Sequence, residues 1–262
     1  MKKFASFIAA LVLLTACSSV PLTGRKQLLL VSDAEVLSLS SQSFTDYMKT
    51  AKASTSKTNT ALVVKVGKNI AAAVESYLKS NGMEAEIANF SWEFHLVKDS
   101  VPNAFCMPGG KIVVNEGILP YTKNETGLAV VLSHEVAHAI AKHSNERISQ
   151  QMVAQYGGNI LSAAMTGKSE KSLQLAQTVY GLGAQYGVML PFSRKQELEA
   201  DKMGLIFMAM AGYDVNQAIP FWERMSQMSS QKPLEFMSTH PSDETRIARI
   251  KAAIPEALKY KK

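Results

Sequence analysis

No feature constrains this chain more than the five residues His134-Glu135-Val136-Ala137-His138. At about 100° per residue, helix positions four apart lie within about 40° of each other and one turn apart, so both imidazoles can reach one point. Glu135, rotated by about 100° from His134, falls beside that point instead of on it. Two histidines with a flanking carboxylate in this spacing suit one zinc ion and a base acting on water. The surrounding text supports a helix, because Leu128, Val131, Leu132, Val136 and Ile140 recur at helical spacing. Thr122 and Glu125 have capping-box spacing and predict its start.

A catalytic zinc usually takes three protein ligands and keeps one position open, so a third group must come from elsewhere. In Glu197-Leu198-Glu199-Ala200-Asp201, residues 197 and 201 share a helix face. Glu197 is the expected ligand to a single Zn2+ per chain. Asp201 is expected to orient an imidazole by accepting its remaining N–H. Ala200 would allow close helix approach, and Glu199 is expected to point elsewhere. Of the other histidines, His143 lies about 140° around a continuous helix from His138 and reads as a polar helix-end residue. His95 reads as a surface residue on a strand. His240, followed by Pro241, is expected in a loop before a final helix that starts after Ser242, from where it can reach the cleft as a catalytic partner.

The N-terminus predicts an address. Lys2 and Lys3 precede an apolar run from Phe4 to Leu14, too short to span a bilayer and laid out as a secretory signal. Leu14-Thr15-Ala16-Cys17 resembles a bacterial lipobox, so residues 1–16 are read as signal peptide and Cys17 as the lipidated mature N-terminus. Acyl chains at about 0.8 kcal/mol per buried methylene would hold the protein on a membrane. Ser18 and Ser19, with no Asp, point in the enteric sorting pattern to the outer membrane facing the periplasm. Once Cys17 is acylated, Cys106 has no disulfide partner. Residues 17–45 are read as tether and first helix, opening at Ser32-Asp33-Ala34-Glu35, and 46–262 as one catalytic domain.

With 47% hydrophobic and 19% charged residues, the chain is built for a packed core. The formal charge of +6 is not gathered into a stripe interleaved with aromatics, which argues against nucleic acid as a partner. Thr60 is expected to cap a helix bearing Val63, Val64, Ile70, Val74 and Leu78, which Asn81-Gly82 ends. Phe90, Trp92, Phe94 and Leu96 alternate as in a half-buried strand. Residues 103–107 and 111–115 flank Pro108-Gly109-Gly110 and read as a hairpin whose first strand lies at a sheet edge. An extended peptide can pair with such an edge, which makes Asn103, Ala104 and Phe105 substrate-binding candidates. The charge-poor stretch from Ser149 to Pro191 reads as two close-packed helices forming a cleft wall or lid. Asp214 is expected to cap a helix that Pro220 kinks or delays.

Taken together, NAF at 103–105, PGG at 108–110, NEGIL at 115–119, HEVAH at 134–138, ELEAD at 197–201 and STHP at 238–241 resemble the M48 family of gluzincin peptidases, in particular its bacterial lipoproteins. The resemblance implies a mainly helical α+β, zincin-like fold with a small sheet. It assigns His134, His138 and Glu197 to zinc, Glu135 to the general base and Asp201 to a supporting place. It also implies that His240 faces the metal, either stabilising an oxyanion or filling the open position at rest. The several spanning helices of the family's prenyl-protein branch are not in this sequence, so that branch's substrates are not carried over. The expected activity is zinc-dependent endopeptidase action on unfolded or misassembled envelope polypeptides. A zinc-stabilised chaperone or binding module, or another envelope zinc hydrolase such as a cell-wall amidase, are the alternatives. Oligomeric state and cleavage preference are left open.

Overall fold

A computed structural model describes residues 17–152, 194–231, 235–240 and 244–261. The expected signal peptide, most of the expected cleft wall or lid and Ser242 lie outside the described residues. The fold is α+β and mainly helical, with two small sheets among the described residues.

Cys17–Ser19 (β1) and Lys26–Leu28 (β2) form an antiparallel hairpin. Its turn holds Leu22 at φ 67° and Gly24 at φ 66°. Val20 is buried in the main core, so this segment is docked on the domain instead of forming the expected tether. Helix α1, Asp33–Thr50, starts at the expected capping box, with Ser32 and Glu35 satisfying each other's backbone N–H, and it continues past residue 45. Helix α2 is Lys57–Ser80 and ends at Asn81 as expected, but Ser56 caps it, not Thr60. Its first turn, Lys57-Thr58-Asn59-Thr60, carries no large apolar side chain, so hydrophobic periodicity could not reveal it. A single turn, α3, spans Glu84–Ile87.

The main sheet is Glu93–Val97 (β3), Ala104–Met107 (β4) and Lys111–Asn115 (β5), in the order β3-β5-β4. β5 runs parallel to β3 and antiparallel to β4, which leaves β4 at an edge, as the hairpin reading expects. Gly109 and Gly110 turn the hairpin at φ 88° and 85°, and a Cβ on Gly110 would stand 2.6 Å from the Trp92 ring. Alternation puts Phe94, Leu96, Ile112 and Val114 into the main core, while Val97, Phe105, Met107 and Val113 pack with Phe44 of α1 on the other face. His95 is only partly exposed, its ring 5.2 Å from that of Phe44 and its Nε2 3.0 Å from Glu93.

After the short helix α4, Leu119–Thr122, comes the central helix α5, Glu125–Ile140. Asn124 caps α5 by accepting the Gly127 N–H at 2.8 Å, while Thr122 spends its hydroxyl on Leu119 within α4. The helix is buried almost all round, as a helix enclosed by sheet and helices must be. Residues 143–152 form a further helix. Then α6, Arg194–Met210, packs on α5, with Gly204 at the crossing, where a Cβ would stand 3.2 Å from the His134 backbone nitrogen. Ala200 is also fully buried, in line with the expected close approach. Asp214 caps a 3-10 turn, Val215–Gln217, that leads into α7, Ala218–Gln231. Pro220 sits in the first turn of α7, where its missing N–H costs nothing. The turn α8, Glu235–Thr239, and helix α9, Glu244–Ala257, are the last α-helices among the described residues. No helix among the described residues is long and apolar enough to cross a membrane.

Candidate metal centre

α5 presents His134 and His138 on one buried face, and α6 brings Glu197 against them. His134 Nε2 and His138 Nε2 stand 3.0 Å apart, and they lie 3.3 and 3.4 Å from the two Glu197 oxygens. His240 Nδ1 closes the group, at 3.1 Å from His134 Nε2 and 3.2 Å from Glu197 Oε1. One donor atom from each of the four residues falls within 4.8 Å of every other. Donors placed about 2.0–2.1 Å from one tetrahedral ion would stand about 3.3–3.4 Å apart. The observed separations, 3.0 to 3.4 Å, fit that arrangement, and a cluster of three imidazoles and one carboxylate is the donor set of a zinc site.

His240 lies between α8 and α9, the placement before the final helix that was expected for it. It directly follows α8, donating its N–H to the Phe236 carbonyl at 2.9 Å, while Phe236 N–H donates to Pro102 just before β4. Its ring leans on Phe236 at 4.6 Å between centroids. The other ring nitrogen, Nε2, lies 3.3 Å from Glu135 Oε1.

Glu135 stands beside the cluster and accepts a hydrogen bond from the Cys106 backbone N–H of β4. Burial raises its pKa, against the pull of His240 and His134, so its carboxylate is a stronger base than usual. Pairing of Asn103 with Asn115 makes 103, 105 and 107 the positions whose main chain faces β5, and turns that of Ala104 and Cys106 to the side away from β5. Of the three substrate-binding candidates, Ala104 therefore has its main chain on the open side; its N–H meets the Asn103 side-chain oxygen at 2.9 Å.

Each α5 histidine of the cluster is held from behind. His134 Nδ1 lies 3.0 Å from Asp201, which Arg246 grips with Nε and Nη2 at 2.7 and 2.8 Å. Arg246 also reaches Glu197 at 3.2 Å and the His240 carbonyl at 3.1 Å, with its guanidinium 3.5 Å from the Trp222 ring centre. Burial would raise Asp201, yet Arg246 and His134 hold it below the usual carboxylate range. Burial also works against charge on Glu197, but His240, His134 and His138 keep it ionised. For His134, burial is outweighed by Asp201 and Glu197, which push it up to about 9, so a proton competes with a metal for Nε2. Burial pushes His138 well down, leaving it neutral and able to ligate.

Behind His138 stands His143, which is not the polar helix-end residue expected. α5 ends at Ile140, and Lys142 takes a left-handed φ of 53°, so the angle counted along a continuous helix does not apply. His143 is fully buried, its Nδ1 2.9 Å from His138 Nδ1 and its Nε2 2.9 Å from Glu199 Oε2. Glu199 does point away from the cluster, as expected, but toward His143, Arg25 and Thr23. Burial would raise Glu199; these three partners bring it from 4.5 down to about 2. Arg246, Glu199 and Arg25 were not legible as site residues, since contacts over 45 to 174 positions leave no local spacing signal, and His143 was hidden by the break at Lys142.

A buried H-E-x-x-H helix crossed by a second helix that supplies a glutamate defines a zincin-like protein. Residues 65–254 match Peptidase family M48, and the chain belongs to that family. It is 43% identical over 173 residues to the mitochondrial metalloendopeptidase OMA1 of Schizosaccharomyces pombe, covering 65% of this chain and 49% of the relative. To the human mitochondrial metalloendopeptidase OMA1 it is 30% identical over 250 residues, covering 92% and 46%. It is also similar to the β-barrel assembly-enhancing protease of Escherichia coli, at 28% over 181 residues, covering 66% and 37%. The chain thus spans about half the length, or less, of these relatives.

Proposed function

We propose that the protein is a zinc-dependent endopeptidase of the bacterial envelope that cuts unfolded or misassembled polypeptides. The observation that carries this reading is the convergence of His134, His138 and Glu197 with Glu135 directly beside them. His134, His138 and Glu197 would hold one zinc ion, which when bound polarises water and lowers its pKa toward about 7. Glu135 takes the proton from the attacking water and delivers it to the leaving amine, a role that its burial-raised basicity suits. A binding module that used the metal only for stability would have no need of such a base. An extended substrate would pair with the open side of β4 through the outward carbonyls of Ala104 and Cys106, a backbone contact tolerant of sequence.

The address rests on Leu14-Thr15-Ala16-Cys17, read as a lipidation signal with Cys17 as the anchor, and on the envelope-type name of the Escherichia coli relative. The names of the other relatives place those proteins in mitochondria. Glu135→Gln keeps shape but accepts no proton, so zinc content should stay near one per chain while cleavage of unfolded casein falls below detection. Retained cleavage would remove Glu135 from its role, and cleavage of muropeptides in place of casein would favour the amidase reading.

For His240, contact of Nδ1 with the ligand atoms favours a resting ligand over an oxyanion donor. His240→Ala should then raise turnover, and self-cleavage with it. A fall of about a hundred- to a thousandfold with zinc retained would instead establish the donor role.

A further inference from the structure

The docked hairpin at the N-terminus touches the metal centre's supports, although nothing in the proposed chemistry needs it. Its tip carries Thr23 and Arg25 on one side. The Thr23 hydroxyl donates to Glu199 Oε1 at 2.5 Å, and Arg25 Nε donates to Glu199 Oε2 at 2.6 Å. The rest of the guanidinium is bidentate on Glu146, at 2.7 and 2.8 Å. Gln196 completes the link, donating to Glu146 at 2.8 Å. Arg25 therefore ties together two elements: the helix opened by His143 and α6, which carries Glu199 and Glu197.

The proton positions along this chain follow from its acceptors. An ionised carboxylate only accepts, so His143 Nε2 carries the hydrogen in its bond to Glu199. In the neutral ring His143 Nδ1 is then the acceptor, and His138 donates to it from its own Nδ1. That leaves a lone pair on His138 Nε2, the atom that faces His134 and Glu197. The relay selects the ligating tautomer and fixes the ring's direction, as carboxylates do directly for many metal-bound histidines.

We propose that Thr23, Arg25, Glu199 and His143 are positioning residues for His138, so that the N-terminal hairpin is a working part of the metal centre and not only a lead to the membrane. This rests on the zinc reading above. Loss of a partner that orients a ligand typically weakens metal affinity about 10- to 100-fold. In the full chain, zinc affinity measured by chelator competition should fall by that factor in His143→Ala and by up to about tenfold in Arg25→Ala. If Arg25 acts through His143, the double variant binds zinc no more weakly than His143→Ala alone, within about twofold.

Thermal unfolding of the metal-free proteins separates positioning from simple support. A purely structural arginine would lower the metal-free midpoint and leave zinc affinity within about twofold of wild type, which would overturn the proposal, as would losses that multiply in the double variant. Should His143→Ala not fold, Glu199→Gln takes its place in the cycle with Arg25→Ala. His138→Ala tests the underlying reading: if it keeps zinc, or if the wild type binds none, the zinc assignment falls and the relay with it. Zinc lost in His138→Ala but unchanged in Arg25→Ala sinks the relay alone.

Discussion

The two cluster histidines of α5 are supported in parallel ways by opposite ends of the chain. Behind His134, a single carboxylate, Asp201, makes the contact directly, and Arg246 from the C-terminal helix holds it. Behind His138, the carboxylate Glu199 acts through His143, and Arg25 from the N-terminal hairpin holds it. The first arm is sealed: the Arg246 side chain is 2% exposed and lies under Trp222. The second opens toward the surface, with the Arg25 side chain 13% exposed. The same logic, a carboxylate fixed by an arginine, thus operates at two depths. Depth decides how much each arginine matters, because an ion pair inside the protein cannot replace a lost partner with water.

Removing the two arginines is the strongest way to break this comparison. Arg246→Ala takes the guanidinium away from the buried Asp201 and Glu197, and breaking such a pair costs about 3–5 kcal/mol. Arg25→Ala leaves Glu146 and Glu199 closer to solvent, with Gln196, Thr23 and His143 still in place. A cost of about 1.5–3 kcal/mol, that of a charged hydrogen bond, is expected there. Urea unfolding of the metal-free proteins ranks them, and equal losses would show that depth is not what separates the arms.

A finer comparison substitutes the carboxylates themselves. Asp201→Asn can still accept from His134 but loses its charge pairing with Arg246, whereas Glu199→Gln sits one residue further from the ligand. Zinc affinity should fall about 10- to 100-fold in Asp201→Asn and less in Glu199→Gln. Chelator competition on the two variants checks the order, and a larger loss in Glu199→Gln would reverse the ranking of the arms.

Much of the first arm was readable from local spacing. The i, i+4 pair His134 and His138 and the i, i+4 pair Glu197 and Asp201 each lie on one helix, so helical geometry alone brings them onto shared faces. The edge position of β4 followed in the same way from a glycine turn between two strands. The second arm was hidden for two physical reasons. The break at Lys142 reorients His143, and a left-handed lysine has no sequence signature comparable to that of glycine. Arg25 and Glu199 meet only because the N-terminal hairpin docks, which is a tertiary event that no periodicity records. His240 lay between these cases: its motif marked it, but the seat on α8 and the grip of Arg246 on its carbonyl come from packing.

The smallest expected effect is also the most specific to the N-terminal arm. Glu199 has its pKa depressed from 4.5 to about 2, because hydrogen bonds from His143, Thr23 and Arg25 outweigh its burial. A carboxylate whose folded pKa lies below its unfolded one contributes stability that is complete above the unfolded value and is lost as pH falls through the folded one. Here that window runs from about pH 4.5 down to about pH 2. Glu199→Gln is neutral at every pH, so the gap in metal-free unfolding midpoint between wild type and variant should be constant above pH 5 and narrow steadily below 4.5. Arg25 stays charged throughout this range in both proteins. The narrowing would therefore report the titration of Glu199 itself. A gap that stays flat from pH 5 to pH 3 would mean that Glu199 is not held ionised by its three partners, and the contrast between a sealed arm and a surface arm would lose its electrostatic basis.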